Sequence, residues 1–129
     1  MNYKVEGLNE LSKQFHDFQQ NAGFTDNNII QRLMLIHSEV SEAFEAFRKD
    51  KYTKELTQTT MALLTEQYDQ SVREHFEKNV KDTFEDELAD ILIRTLALCA
   101  ENNIDIEKHI SIKMRYNEAR GFKYGGKKF

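Results

Sequence analysis

An all-α chain, folded as a four- to five-helix bundle, is what this sequence predicts, and three observations predict it. The 129 residues contain no proline, where average usage of about 5% would place roughly six. Glycines stand at Gly7, Gly23, Gly121, Gly125 and Gly126, so the stretch between Gly23 and Gly121 has none; these two residue types are the strongest punctuators of strands and turns. Apolar residues recur every three or four positions along most of the chain, which is the spacing of one helix face.

The first helix is read from Leu8, Leu11, Phe15, Phe18 and Ala22, with Gly23 placed to cap its end. A second opens after Thr25 or Asp26, either of which can offer a side-chain oxygen to a first-turn N–H. It buries Ile29, Leu33, Ile36, Val40, Phe44 and Phe47 on one stripe and ends near Asp50. From Lys51 to Asp82 the sequence is polar, yet Met61, Leu64, Tyr68, Val72, Phe76 and Val80 keep helical spacing, so a helical insertion is expected at about 51–82. Thr83 followed by Asp86 resembles a capping box with a shortened acid. It opens a helix through Phe84, Leu88, Ile91, Leu92, Leu96 and Cys99 that is apolar nearly all round and therefore buried. Asp105 can cap a last helix carrying Ile106, Ile110 and Met114, which Gly121 stops.

The length suits a single domain, 1–129, and no linker divides it. One cysteine, Cys99, excludes an internal disulfide, and Met1 to Glu10 lacks the apolar core of a signal peptide, so the expected compartment is the cytoplasm. The most apolar run, Leu88 to Ala100, is interrupted by Asp90 and Arg94 and is shorter than the about 20 residues of a membrane span; no membrane association is expected. A net charge of −4 argues against nucleic-acid binding, although Lys113 to Phe129 sets six lysines and arginines against Glu118 alone, a local +5. An acidic body ends in a basic tail.

Chemistry concentrates on two helices. Glu39 and Glu42 on the second, and Glu87 and Asp90 on the fourth, are pairs three residues apart, each projecting from one side of its helix. Both pairs border apolar positions rather than the wet face. Carboxylates about 4 Å apart repel by roughly 4 kcal/mol at an effective dielectric near 20, so four of them gathered between helices call for cations. An oxygen-only donor set suits Mg²⁺, with Mn²⁺ as substitute, and waters or substrate phosphates completing the shell. On the last helix Lys113, Asn117 and Arg120 fall on one stripe and form a candidate phosphate-binding set. Phe15, Phe18, Phe24, Phe44 and Phe47 could form a base pocket near the first acidic pair, although aromatics at this spacing are more often plain core. Ferritin-like di-iron chemistry is excluded, because Lys13, Met34, Val72 and Ile106, not Glu, stand three before the histidines. There is also no H-E-x-x-H and no phosphate-cradling glycine loop, and Cys99 on its apolar helix reads as packing.

Three segments, Leu33 to Phe47 (LMLIHSEVSEAFEAF), Glu85 to Leu98 (EDELADILIRTLAL) and Lys113 to Phe129 (KMRYNEARGFKYGGKKF), in this order, resemble the MazG group of all-α nucleoside triphosphate pyrophosphohydrolases. The resemblance implies metal binding by Glu39, Glu42, Glu87 and Asp90, phosphate binding by Lys113, Asn117 and Arg120, and a bundle completed in a homodimer or homotetramer. It also implies Mg²⁺-dependent hydrolysis of a nucleoside triphosphate to the monophosphate and pyrophosphate, in the house-cleaning of aberrant or surplus nucleotides. The expected step is in-line attack on the α-phosphorus by a water that the metal and either Glu39 or Glu42 activate. Two features depart from the group: the longer stretch between Glu42 and Glu87, and Ser38 where many relatives carry glutamate. The alternative from another class is a catalytically silent helical oligomer acting as a regulatory or interaction module.

Overall fold

The computed structural model describes residues 3–26, 28–57, 60 and 68–129. Among them there are six helices and no strand: α1 (Leu8–Asn21), α2 (Ile29–Arg48), α3 (Gln70–Asn79), α4 (Phe84–Glu101), α5 (Ile106–Arg120) and α6 (Lys123–Gly126). No helix among them is long and apolar enough to cross a membrane. The chain divides into two compact units, Met1–Asn27 with Thr95–Phe129, and Asn28–Arg94. α4 contributes to both.

In the first unit the glycine stop of α1 is in place: Gly23, at φ +100, returns its N–H to the Gln20 carbonyl at 3.1 Å. α1 packs against α5 through a reciprocal exchange at their N-terminal ends. The Asn9 N–H donates to Glu107 Oε2 at 3.2 Å, the Glu107 N–H donates back to Asn9 Oδ1 at 3.3 Å, and Asn9 Nδ2 donates to Asp105 Oδ1 at 2.8 Å. Asp105 is also the N-cap of α5, accepting from the Lys108 N–H at 3.1 Å. Gly121 stops α5 at φ 72, and α6 is a single turn with Tyr124 and Gly125 left-handed. The end of α4 buries Leu96, Ala97 and Cys99, and burial pushes the Cys99 thiol up, as suits an inert packing residue.

The second unit departs further from expectation. α2 is capped by Asn28, not by Thr25 or Asp26: Asn28 Oδ1 accepts from the Gln31 N–H at 3.0 Å. Asn and Asp are equally good N-caps, so residue type alone does not choose between Asp26 and Asn28. The buried residues of α2 are Glu39, Ala43 and Ala46. The apolar stripe expected to be core is instead exposed at Ile29, Leu33, Val40, Phe44 and Phe47, with Leu33 at 52% and Phe44 at 59%, and Ile36 is half-buried. The same holds on α4, expected to be buried nearly all round, where Leu88 and Leu92 are exposed. The physical reason is that α2 and α4 meet through a polar seam, Glu39 against Arg94, with Phe47 6.1 Å from Phe84 at its end; most of their apolar surface points elsewhere.

Of the helical insertion expected at about 51–82, the described residues show helix at 56–57, at 60 and in α3. Asp69 caps it by accepting from the Val72 N–H at 3.0 Å, and Val72, Asn79 and the following Val80 are buried. Met61 and Leu64 lie outside the described residues. Residues 51–55 are not helical because their backbone bonds run across the unit rather than along a helix. The Lys54 N–H donates to Asn79 O at 2.9 Å, the Thr53 N–H to Glu85 Oε2 at 2.8 Å, and Lys51 O accepts from the Phe84 N–H at 2.8 Å. At the start of α4 the capping box is shifted by one residue. The Asp86 N–H donates to Thr83 Oγ1 at 3.3 Å, but Asp86 Oδ2 accepts from the Asp82 N–H at 3.0 Å, since the Thr83 N–H is already bonded to Val80 O.

Candidate metal centre

The central observation lies within the second unit. Glu39 and Glu42, one turn apart on α2, and Glu87 on α4 each place a carboxylate oxygen within 4.8 Å of the others. Glu39 and Glu87 are buried, Glu87 at 4% exposure, while Glu42 is open to solvent. Arg94, seven residues beyond Glu87 on α4, donates from Nε to Glu39 Oε1 at 3.0 Å. Glu87 Oε2 is shielded from water and has no hydrogen-bond partner.

The electrostatics follow from that crowding. Burial, then a hydrogen bond with Glu39 and repulsion from Glu42, Glu39 and Asp90, push the Glu87 carboxyl up to about 8. Its bond to Glu39, burial and Glu39's charge also hold Glu42 above the usual carboxylate range. Burial pulls Glu39 the same way, but hydrogen bonds from Glu87, Glu42 and Arg94 outweigh it and keep Glu39 low. One site thus sets an ionised acid among acids that resist ionisation, which a divalent cation would relieve.

Of the four acids expected as ligands, three come together and Asp90 does not join them. Asp90 is half-buried one turn beyond Glu87. Its shorter side chain lines a separate cleft of about 390 Å³ with Asp82, Asp86, Arg73, Lys81 and Tyr68. Burial and repulsion from Asp86 and Glu39 raise its carboxyl. A second cleft, of about 400 Å³, is lined by Ser38, Ser41, Glu42, Lys49, Lys51 and Glu87. Lys49, Lys51, Arg94, Asp82 and Asp86 were not picked out as site residues from the sequence. Arg94 did have a signal there, as a cation interrupting an otherwise apolar helix.

Lys113, Asn117 and Arg120 share a stripe of α5 in the first unit. Lys113 Nζ and the Arg120 guanidinium lie over the Tyr116 ring, 5.1 and 5.2 Å from its centroid, and Arg120 also lies 4.6 Å from the Tyr124 ring centroid. Asn117 Oδ1 is buried without a partner. Of the base-pocket candidates, Phe15 is half-buried and Phe18 exposed on α1. Phe44 is exposed on α2, with the Arg48 guanidinium 5.8 Å from its ring centroid.

No protein-family model, curated protein or solved structure matches the chain. The case for chemistry therefore rests on the site. Three convergent carboxylates, one with a buried oxygen that has no donor, fit a hard, oxygen-seeking cation and would suit no soft metal.

Proposed function

We propose that this chain is a Mg²⁺-dependent nucleoside triphosphate pyrophosphohydrolase of the MazG kind, cutting between the α- and β-phosphates to leave a monophosphate and pyrophosphate. The observation that carries the proposal is the convergence of Glu39, Glu42 and Glu87 on one point, with Glu87 buried and its Oε2 unsatisfied. These three would hold the ion, with Asp90 one turn along α4 as the fourth acid of the set. Bound there, Mg²⁺ supplies Lewis acidity and lowers the pKa of a coordinated water. Glu42, exposed in the cleft, would accept the proton of the attacking water, while Glu39, buried and bonded by Arg94, would stay ionised as a ligand. Lys49 and Lys51 in the same cleft offset charge growing on the leaving pyrophosphate. Lys113, Asn117 and Arg120 are kept as the phosphate-binding stripe of α5.

The exposed apolar stripe of α2 supports a homodimer or homotetramer that covers it, since large apolar patches on monomers are rare. The same stripe favours a second reading, a catalytically silent oligomeric module. One assay separates them: pyrophosphate release over a panel of nucleoside triphosphates, with Mg²⁺ and with EDTA. Metal-dependent release from one or more nucleotides supports the enzyme; none from any of them leaves the silent module.

A further inference from the structure

Tyr68, Arg73, Phe76 and Glu77, on α3 and just before it, border the cleft of about 390 Å³ that Asp90 also lines. None of the four belongs to the acidic pairs or to the basic stripe of α5. We propose that this cleft is a nucleobase subsite that takes guanine: Tyr68 stacks on the base, Glu77 accepts its N1–H and amino N–H, and Arg73 donates to its O6. The inference deepens the pyrophosphohydrolase reading above and rests on it for the ligand being a nucleotide.

Place and size both suit the base of a nucleotide. The cleft lies wholly within the second unit, and Asp82 borders both it and the cleft that holds Glu42, Lys49, Lys51 and Glu87. A nucleotide with its phosphates at the carboxylate centre therefore has its nucleoside within reach of the α3 cleft across Asp82. Its volume falls in the range of roughly 300–1,000 Å³ usual for small-molecule sites. Tyr68 is 62% exposed immediately before the Asp69 cap of α3, and Phe76 is half-buried. An aromatic ring left in water at the border of a cleft offers a face to a base, and stacking of this kind binds any base.

The choice among bases comes from Arg73 and Glu77. Arg73 Nε donates to Glu77 Oε1 at 2.8 Å, one turn apart on α3, and the two side chains are 63% and 44% exposed. Exposed pairs of this spacing are common and add little stability; what distinguishes this one is that both partners line the cleft with Tyr68. A guanidinium has five N–H donors and no acceptor, and a carboxylate has about four lone-pair sites and no donor, so one mutual bond leaves both able to bind more. Side by side they match an edge with two adjacent N–H donors next to a carbonyl, which is guanine's amino group, N1–H and O6. Adenine and cytosine set a ring acceptor beside their amino group, and uracil and thymine flank their one N–H with two carbonyls. Each of these turns a lone pair toward Glu77.

The test is calorimetric binding to the full chain, with Mg²⁺, of α,β-imido analogues of the guanine, adenine, cytosine and uracil nucleoside triphosphates, in both the ribo and the deoxyribo series. These cannot be cut between the α- and β-phosphates, so binding is read without turnover. The wild type is expected to hold the guanine analogue at least about tenfold more tightly than the others, the worth of one hydrogen bond to a charged group. Tyr68→Ala should weaken every analogue by roughly fivefold or more, as loss of one stack implies, and Tyr68→Phe should restore the affinity. Glu77→Ala should erase the preference for guanine while changing the other three little. All three positions are exposed or on a helix that alanine favours, and circular dichroism checks that the variants fold. Equal binding of all four bases, preference for another base, no binding of any analogue, or a guanine preference that survives Glu77→Ala each overturns the subsite. Guanine selectivity that depends on Glu77, in a chain that releases no pyrophosphate from any nucleotide, would uphold the cleft and refute the pyrophosphohydrolase; metal-dependent release with no base preference would do the reverse.

Discussion

The Arg94 guanidinium donates from Nε to Glu39 Oε1 at 3.0 Å, linking the fourth helix to the second at the deepest carboxylate of α2. Arg94→Gln leaves Glu39 buried without its counter-charge. A lost hydrogen bond to a charged group costs about 1.5–3 kcal/mol; since Arg94 keeps 34% of its side chain in water, the low end applies. The expected result is a melting temperature several degrees lower in EDTA, partly recovered by Mg²⁺, which replaces the missing positive charge. Equal melting of variant and wild type in EDTA would show that the pair does not hold the seam.

The stability of the metal-free protein should depend on pH through Glu87. Its carboxyl is pushed up to about 8 from 4.5, first by burial and then by Glu39. A raised folded-state pKa means that the contribution is fully present below 4.5 and is lost as pH rises through about 8. Glu42 and Asp90 are raised in the same direction; Glu39, held low, acts oppositely and loses its contribution only on acidification below 4.5. Thermal melts in EDTA should therefore fall between these two pH values, and Glu87→Gln or added Mg²⁺ should flatten the fall. A flat profile in the wild type contradicts the crowding of these acids.

Glu87→Gln and Asp90→Asn should each abolish turnover and leave the far-ultraviolet circular dichroism unchanged, because neither alters shape and both remove repulsion. Mg²⁺ should raise the melting temperature of Glu87→Gln less than that of the wild type, since the shared ligand is lost. Loss of helical signal would make the two acids structural, and wild-type activity would end the assignment of Glu87 as a ligand and of Asp90 as the fourth acid of the set.

Helix positions were legible because their signals are local. Apolar spacing, the absence of proline, Asp105 as a cap and Gly23 and Gly121 as stops operate within a few residues: α1 ends just before Gly23, and α5 runs between Asp105 and Gly121. Which face is buried was not legible, because burial depends on which partner arrives. α2 buries Glu39, Ala43 and Ala46 and leaves Leu33 and Phe44 in water, the reverse of what its apolar stripe implies. The site was legible in the motif residues Glu39, Glu42 and Glu87. Lys51 and Asp82 were not, since they lie in the loops preceding α4, where 51–54 bond across to Asn79 and the start of α4, and no periodicity reports such a crossing.

The last prediction concerns the α5 stripe, where Lys113 and Arg120 both lie against the Tyr116 ring, 5.1 and 5.2 Å from its centroid. Packing on the ring orders both cations; one Arg120 N–H donates to Tyr124 O at 3.4 Å, and the Lys113 ammonium keeps donors for an anion. If the stripe binds phosphates as proposed, Lys113→Ala and Arg120→Ala should each raise KM and lower kcat, together by roughly tenfold or more in kcat/KM, because charge on the phosphates grows toward the transition state. Arg120→Lys should not rescue, since the planar fork is lost. Tyr116→Ala, which removes the ring but no charge, should have an intermediate effect. Arg115 is the control: it lies about 200° round the helix from Lys113 and is paired with Glu118 at 3.5 Å, so Arg115→Ala should be nearly silent. Steady-state kinetics with an active nucleotide decide the matter. Damage from Arg115→Ala equal to that from the other two would mean that only general positive charge matters, and unchanged kinetics in all of them would reduce the stripe to a stack of cations on tyrosine with no part in binding substrate.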